Sequence, residues 1–411
     1  MKKTVKTIGI ALSVLMATGL FACKGGKENA DLPAKHRDAD NSVVKKGVCV
    51  SRYNEDDSTF AQKIDDLDVG WYYTWGAQTN NSHIKSDIEY VPMVHNRGYM
   101  NDATLGDIKQ KYEDGTYKYL LTFNEPDLPD QANMSVDEAI GYWEKLEGIG
   151  IPLSSPAVSY YSAENGNEWL DTFMAKATDR GLRVDFIAIH IYQSFYSTGA
   201  VNELKATLDA LYDKYKLPVW LTEFGAIDII SRDAQKPNLP SGTPGRVSAS
   251  CTAKNAQSYI TQATNMLEQC GYVERYSWFV DNFAGMYGED RANYLWEAPY
   301  TSLYNDDDTI AEVGKTYKGI SSNAPLYLLT TDLASGKVGA AYSAAISVAG
   351  GTGDYTVTAS GLPSGLTIAK NGTISGKPKN GGSFAVRITA TDSGKTGRRQ
   401  TLTRTYALQI K

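Results

Sequence analysis

Between Gly47 and about Ile320 the chain repeats one pattern, a short apolar run followed by a stretch with helical spacing. The runs are GVCVS (47–51), VGWYYTW (69–75), IEYVPMV (88–94), YKYLLTF (117–123), IPLSSPAV (151–158), VDFIAIHIY (184–192), PVWLTEFG (218–225) and VERYSWFV (273–280), eight in all. Near-continuous apolar strands alternating with helices point to a parallel sheet covered on both faces. The helices carry their own marks. Ser135 and Glu138 make a capping box that opens SVDEAIGYWEKLEG, while Leu204, Leu208, Leu211, Tyr212 and Tyr215 share one helical face. Eight such units in roughly 270 residues match an α/β (β/α)8 TIM barrel, which takes about 250. A doubly wound open sheet competes, but the chain lacks its Gly-rich phosphate fingerprint.

The barrel is expected over residues 47–322, and the texture changes after residues 323–325. LPSGLTIAKNGTISGKPKNGGSFAVRITATDSG has short alternating strands, Gly and Pro turns and almost no helical pattern. Residues 326–411 therefore read as a small all-β sandwich. The spacing of LPSGL, GTISGKP and ATD resembles a bacterial immunoglobulin-like module related to cadherin-type domains. With only Tyr327, Tyr342, Tyr355, Phe384 and Tyr406 as aromatics and no Trp, a spacer role fits it better than sugar binding.

The first 23 residues place Lys2, Lys3 and Lys6 before an apolar stretch and end in Ala22-Cys23. This is a secretory signal, too short and wrongly flanked for a stable membrane span. It resembles a bacterial lipoprotein signal, in which cleavage leaves Cys23 as a lipid-modified first residue. An ordinary cleaved signal that happens to contain a cysteine is the plainer reading. Residues 24–46 are polar, mixed in charge and without apolar period, and read as a flexible tether. The expected location is outside the cytoplasm, on a bacterial outer membrane or cell surface, with the membrane as a partner through the lipid. Cys251 and Cys270 bracket a helical stretch too long to bridge, so those thiols read as structural.

Composition narrows the partners. The net charge is −6 and no dense Lys/Arg stripe occurs, which argues against nucleic acid. Four His and four Cys show no metal-ligand spacing, so no metal or other cofactor is expected. The 27 Tyr and 7 Trp suit a glycan binder, because sugar rings pack their C–H faces on aromatic planes, although barrels and sandwiches also use Tyr in their cores.

In a TIM barrel, function sits at the C-terminal ends of the strands. The fourth run ends in Asn124-Glu125-Pro126, and the seventh carries Glu223 near its end. A glutamate in an otherwise apolar strand costs too much to bury without purpose or partner. Two of them, facing each other across the mouth, read as the carboxyl pair of a glycosidase. Retaining enzymes hold the pair about 5 Å apart, one as general acid and one as nucleophile. Glu125 is then the acid/base, Glu223 the nucleophile, and Asn124 a ligand for the sugar 2-OH.

FNEPD and WLTEFG, together with GWYYTWG, FIAIHIY and RYSWF, resemble clan A of the glycoside hydrolases and, within it, glycoside hydrolase family 128. The resemblance covers about residues 47–300. It implies hydrolysis of β-1,3-glucan with retention, endo-acting on a laminarin-type chain, with Glu125 as acid/base and Glu223 as nucleophile. In VPMVHNRG, His95 and Asn96 depart from the family pattern. His190 and Tyr192 end the sixth strand, where His190 either bonds a sugar hydroxyl, orients Glu223, or is a barrel-interior histidine satisfied by its neighbours. Tyr73, Trp75 and Trp278 end their strands as possible sugar platforms, whereas Trp71 and Tyr72 are as well placed to pack on outer helices or loops. The connection 226–250 reads as a cleft wall, and Tyr287, Tyr294 and Trp296 as another. Asp127 reads as a turn or cap residue. Other substrates of the clan (mannan, xylan, mixed-linkage glucan) and a catalytically silent, surface glycan-binding lipoprotein stay open at this stage. A monomer is expected.

Overall fold

The structure is a computed structural model that describes residues 39–40, 43–51, 58–79, 82–84, 88–235, 238, 245–283, 298–320, 326–349, 355–392 and 400–411. Cys23 and the expected wall at Tyr287, Tyr294 and Trp296 lie outside the described residues. Eight parallel strands run β1 (Lys46–Cys49), β2 (Trp71–Tyr73), β3 (Glu89–Tyr90), β4 (Leu120–Asn124), β5 (Leu153–Ala157), β6 (Ile187–His190), β7 (Val219–Phe224) and β8 (Val273–Trp278). Ladders join β3 to β2, β2 to β1, β1 to β8, β8 to β7, β7 to β6, and β4 to β5. Single parallel bridges complete the ring, Met93 to Leu121 between β3 and β4, and Ser154 to Phe186 and Val158 to Ile189 between β5 and β6. The sheet closes on itself. Among the described residues the barrel sheet therefore has no free edge.

Helices α1 (Ser58–Asp66), α2 (Asp102–Glu113), α3 (Val136–Glu147), α4 (Glu168–Asp179), α5 (Ala200–Tyr215), α6 (Ile229–Gln235), α7 (Ala253–Gln269) and α8 (Glu312–Lys318) accompany the strands. The strand–helix alternation lapses between β2 and β3, where no helix occurs among the described residues. Ser135 caps α3 by accepting the Glu138 N–H, as expected. The reciprocal half of the box is diverted, because the Glu138 carboxylate takes a bidentate pair from Arg97. Leu204, Leu208 and Leu211 are buried on α5 as the periodicity requires. Among the described residues, no helix is long and apolar enough to cross a membrane.

Two apolar layers share the strands. The outer one packs helices on the sheet and holds Val48, Tyr72, Phe123, Leu221, Phe224, Tyr276 and Trp278. The inner one fills the barrel with Cys49, Trp71, Tyr73, Met93, Leu121, Phe186, Ala188 and Trp220. Trp71 thus faces inward while Tyr72 faces out, so only Tyr72 follows the outer-packing expectation. Toward the starts of the strands, buried Arg275 stacks its guanidinium on Trp220 (4.5 Å), Tyr119 (4.9 Å) and Trp71 (5.4 Å) and pairs with Glu89 at 2.8 Å.

The expected tether overlaps the barrel at its end, where the Asp40 N–H already donates to Glu274 at 2.6 Å. Lys45 and Lys46 are buried, and their ammonium groups bond the carbonyls of Cys270 and Ile320, each at 2.8 Å. A polar composition concealed this, because lysine buries its stem while its head finds carbonyls.

Beyond the barrel the described residues form antiparallel ladders. One three-stranded sheet is built from Tyr342–Ala345, Thr373–Gly376 and Leu366–Ile368, another from Tyr355–Ser360, Gly382–Asp392 and Thr401–Ile410. A separate core of Ile374, Val386, Ile388, Leu408 and Tyr406 lies within them.

Candidate active site

β4 and β7 bring the two glutamates together. In β7, Leu221 and Phe224 face outward and Trp220 inward, yet Glu223 also turns inward. Strict alternation forbids this. A one-residue register shift resolves it: Ile189 pairs with Leu221 while His190 pairs with Glu223, and the ladder to β8 shifts at the same level. Such bulges re-aim side chains beside functional sites. Gly225 follows because a Cβ there would lie 2.8 Å from the Phe279 carbonyl and the Thr301 hydroxyl.

Glu125 leaves β4 in the left-handed region, with φ 44°, and its N–H bonds the Ala157 carbonyl at 2.7 Å. A bulky non-glycine residue there is strained, and strain of this kind gathers at functional sites. Trp75 at the end of β2 shares the feature, with φ 58°.

Glu223 is held entirely by donors. The Tyr192 hydroxyl donates to its Oε2 at 2.5 Å, while the Trp75 indole N–H (2.9 Å) and the Tyr73 hydroxyl (3.1 Å) donate to Oε1. His190 Nδ1 stands 2.8 Å from Glu125 Oε1 and 3.4 Å from Glu223 Oε2. Burial pushes the Glu223 carboxyl above its usual range and Glu125 adds repulsion, while His190, Tyr192 and Trp75 pull it back. Three neutral donors and an imidazole are the surroundings of an ionised carboxylate. For His190, burial opposes the charged form, but the two carboxylates outweigh it and the imidazole stands above its ordinary value. Burial lowers His95, against the pull of Glu125.

Each of Glu125, His190 and Glu223 has a ligating atom within 4.8 Å of those of the other two, the spacing a metal could use. The donor set does not suit a cation. Both Glu223 oxygens already accept hydrogen bonds from Tyr192, Tyr73 and Trp75, which an ion would have to displace.

A model of the glycosyl hydrolase catalytic core matches residues 47–317, and an Ig domain model matches residues 324–408. The chain belongs to the glycosyl hydrolase catalytic core family. Among solved structures, it is similar to a family 128 (subgroup I) endo-β-1,3-glucanase of Amycolatopsis mediterranei in complex with laminaritriose. Identity is 32%, covering 67% of this chain and 98% of that one, with a TM-score of 0.54. The same enzyme with one glutamate replaced by glutamine, in complex with laminarihexaose, matches equally at a TM-score of 0.53. A subgroup II endo-β-1,3-glucanase of Sorangium cellulosum, 24% identical over 67% of this chain and 97% of that one, shares the fold (TM-score 0.51). Alkali-sensitive linkage protein 1 of Schizosaccharomyces pombe is 31% identical over 218 residues, 51% of this chain and 34% of that protein. The chain thus spans about a third of that curated relative.

Of the residues expected at the site of this hydrolase core, Glu125, Glu223, His190, Tyr192, Tyr73 and Trp75 converge. Asn124 is buried beside them, its amide N–H reaching Gln131 at 3.3 Å and its Oδ1 without a partner among the described residues. Tyr73 is fully buried and cannot be a sugar platform; it positions Glu223. Trp278 is a correction. It points outward, donates its indole N–H to the Thr301 carbonyl at 2.7 Å and packs on Tyr317 and Phe224. The next residue, Phe279, faces inward instead, its ring edge-on to Trp75 and Tyr192. Inward alternation along β8 was the signal that favoured Phe279.

Asp127 is a tie between loops, accepting the Ser159 N–H and hydroxyl, as expected of a turn residue. In the 226–250 connection, Ala226–Ile227 pairs with Gln193–Ser194, and buried Asp228 accepts from Tyr196, Ser231 and Ser248.

Proposed function

We propose that this chain is a retaining endo-β-1,3-glucanase with Glu125 as acid/base and Glu223 as nucleophile. The observation that carries the reading is the pair of carboxylate oxygens within 4.8 Å of each other, one of them accepting only from donors. Retaining glycosidases keep their carboxyls about 5–5.5 Å apart, whereas inverting ones need about 6.5–9.5 Å to admit a water. The family 128 relatives, endo-β-1,3-glucanases in complex with laminari-oligosaccharides, support the substrate class.

In the first step a Glu223 oxygen attacks the anomeric carbon as the glycosidic C–O bond breaks, and Glu125 gives its proton to the departing oxygen. In the second, Glu125 takes a proton from water, whose oxygen attacks the same carbon and frees the Glu223 carboxylate. Double inversion gives net retention. Buried Asn124, with an uncommitted Oδ1, is assigned to the sugar 2-hydroxyl, and the Trp75 and Phe279 rings to the sugar face.

Mass-spectrometric product analysis on linear β-1,3-glucan, with mannan, xylan and mixed-linkage glucan alongside, tests this. Short β-1,3-oligosaccharides of mixed size, absent with Glu223→Gln, are expected. Release only from another glycan would overturn the substrate, and glucose as the sole product would overturn endo action. The reading extends to the N-terminus, where Cys23 is assigned a lipid that anchors the enzyme at the cell surface. Metabolic labelling with a fatty acid, lost in Cys23→Ser, is the expected result.

A further inference from the structure

A cavity of about 320 Å³ lies between the first turn of α5 and the first half of α7, clear of the two glutamates. Phe195, Ser197, Asn202, Asn255, Tyr259 and Gln262 are among its lining residues, and none of those lining it is charged. Its deeper side is aromatic: the Phe195 ring lies 6.5 Å from that of Tyr259 and edge-on to Tyr196 at 5.5 Å. Gly199 opens α5 with φ 103° and no side-chain cap, so this helix end offers its first N–H groups without a side-chain acceptor. An independent feature points to a ligand. Tyr259 is 2% exposed, and its hydroxyl has no partner among the described residues. A buried phenol normally finds a partner.

We propose that this cavity is a second saccharide site, which seats one glucosyl unit of a β-1,3-glucan chain outside the catalytic cleft. The half-buried Tyr196 ring, the unpartnered Tyr259 hydroxyl, amides and hydroxyls around the rim, and no charge suit a neutral polyhydroxyl ring. The volume is at the small end for ligand pockets, which limits the occupant to about one sugar unit. The segment joining the two sites is short: Tyr192 bonds Glu223, and Phe195, three residues on, lines the cavity. A chain held at the cavity would stay close to the cleft, raising its effective concentration there. The choice of sugar rests on the glucanase reading; the existence of the site does not.

The test is calorimetric titration of the full chain carrying Glu223→Gln with laminarihexaose. Two binding events are expected. Adding Asn202→Trp, at an exposed rim position, should fill the cavity and leave one event. Adding Tyr259→Phe should weaken only the second event, by about five-fold, the worth of one hydrogen bond. In the otherwise wild-type chain, Asn202→Trp should keep turnover of laminarihexaose within about two-fold while losing retention on insoluble β-1,3-glucan. A single event in the parent, or a second event indifferent to both substitutions, overturns the proposal. Competition by inorganic sulfate for the second event overturns the neutral-ligand assignment. If the wild type fails to hydrolyse the glucan yet two events titrate, the glucanase reading falls and the second site stands.

Discussion

His190 Nδ1 lies 2.8 Å from Oε1 of Glu125, and the same nitrogen is 3.4 Å from Oε2 of Glu223. Glu223 accepts as a carboxylate and Glu125 presents a carboxyl oxygen, so this nitrogen carries the proton and the imidazole lies as a donor between the two groups. It is fully buried. It therefore lowers the repulsion that would otherwise oppose holding two glutamates within 4.8 Å. The roles proposed for the pair depend on this shielding.

Those roles separate when the leaving group needs no proton. Glu125→Ala should lose about 10²–10⁴-fold on β-1,3-glucan, the usual worth of a general acid. On an activated aryl glycoside it should still form the glycosyl-enzyme, and added azide should restore turnover and give a β-glycosyl azide. Glu223→Gln should be inactive on both substrates, with no azide effect. An α-azide product from Glu125→Ala would refute retention.

The donors around Glu223 predict a shift in pH dependence. Tyr192→Phe removes the 2.5 Å bond and Trp75→Phe the 2.9 Å bond, both of which favour the ionised carboxylate. Without either, the Glu223 pKa should rise, so the acid limb of kcat/KM should move to higher pH. A fall in kcat of about ten-fold or more should accompany it, since the nucleophile loses its fixed orientation. If the limb stays in place while activity falls, the donors act by packing alone.

Stability should trade against activity at Glu223. Its folded pKa stands above the 4.5 of the unfolded chain, so the folded state holds more protons between those values. Wild-type stability therefore falls as pH rises from 4.5 through the folded pKa. His190, also raised, loses its contribution as pH climbs above 6.5. Glu223→Gln does not titrate and relieves the repulsion with Glu125. It should melt about 2–4 °C above wild type at neutral pH, with the gap closing as pH falls toward 4.5. A gap that stays constant or widens on acidification would refute this account.

Much of the barrel was legible because its signal is local. Eight apolar runs became eight strands, and Asn124-Glu125 and Glu223 stand at strand ends as a C-terminal-face site requires. What stayed hidden depends on neighbours. Glu223 and Trp220 both face inward although three residues apart, because a register shift intervenes, and no spacing rule in one strand reveals a bulge set by two others. Trp278 was misplaced for the complementary reason: from Arg275 onward β8 alternates, so Trp278 points out with Tyr276 and Phe279 takes the inward place. The sequence points to no role for Arg275, which Glu89, Trp71, Tyr119 and Trp220 enclose from four other segments. Composition could not show that, since the partners are up to 204 residues away (Trp71 to Arg275).

Glu125 itself carries a stability cost that a substitution can expose. Its φ of 44° lies where an L side chain is strained by about 1–2 kcal/mol, and Pro126 restricts the residue before it further. Glycine adopts this region freely but loses about 0.5–1 kcal/mol more entropy on folding than alanine. The strain exceeds the entropy. Glu125→Gly should therefore melt about 1–3 °C above Glu125→Ala, although both lack the acid and should hydrolyse glucan equally poorly. In an ordinary strand or helix the order is reversed, so the sign alone is diagnostic. Scanning calorimetry of the two variants at one pH decides it. If alanine proves equal or better, the left-handed turn at the end of β4 is not a strained feature, and the contacts with His190 and the Ala157 carbonyl hold the acid without it.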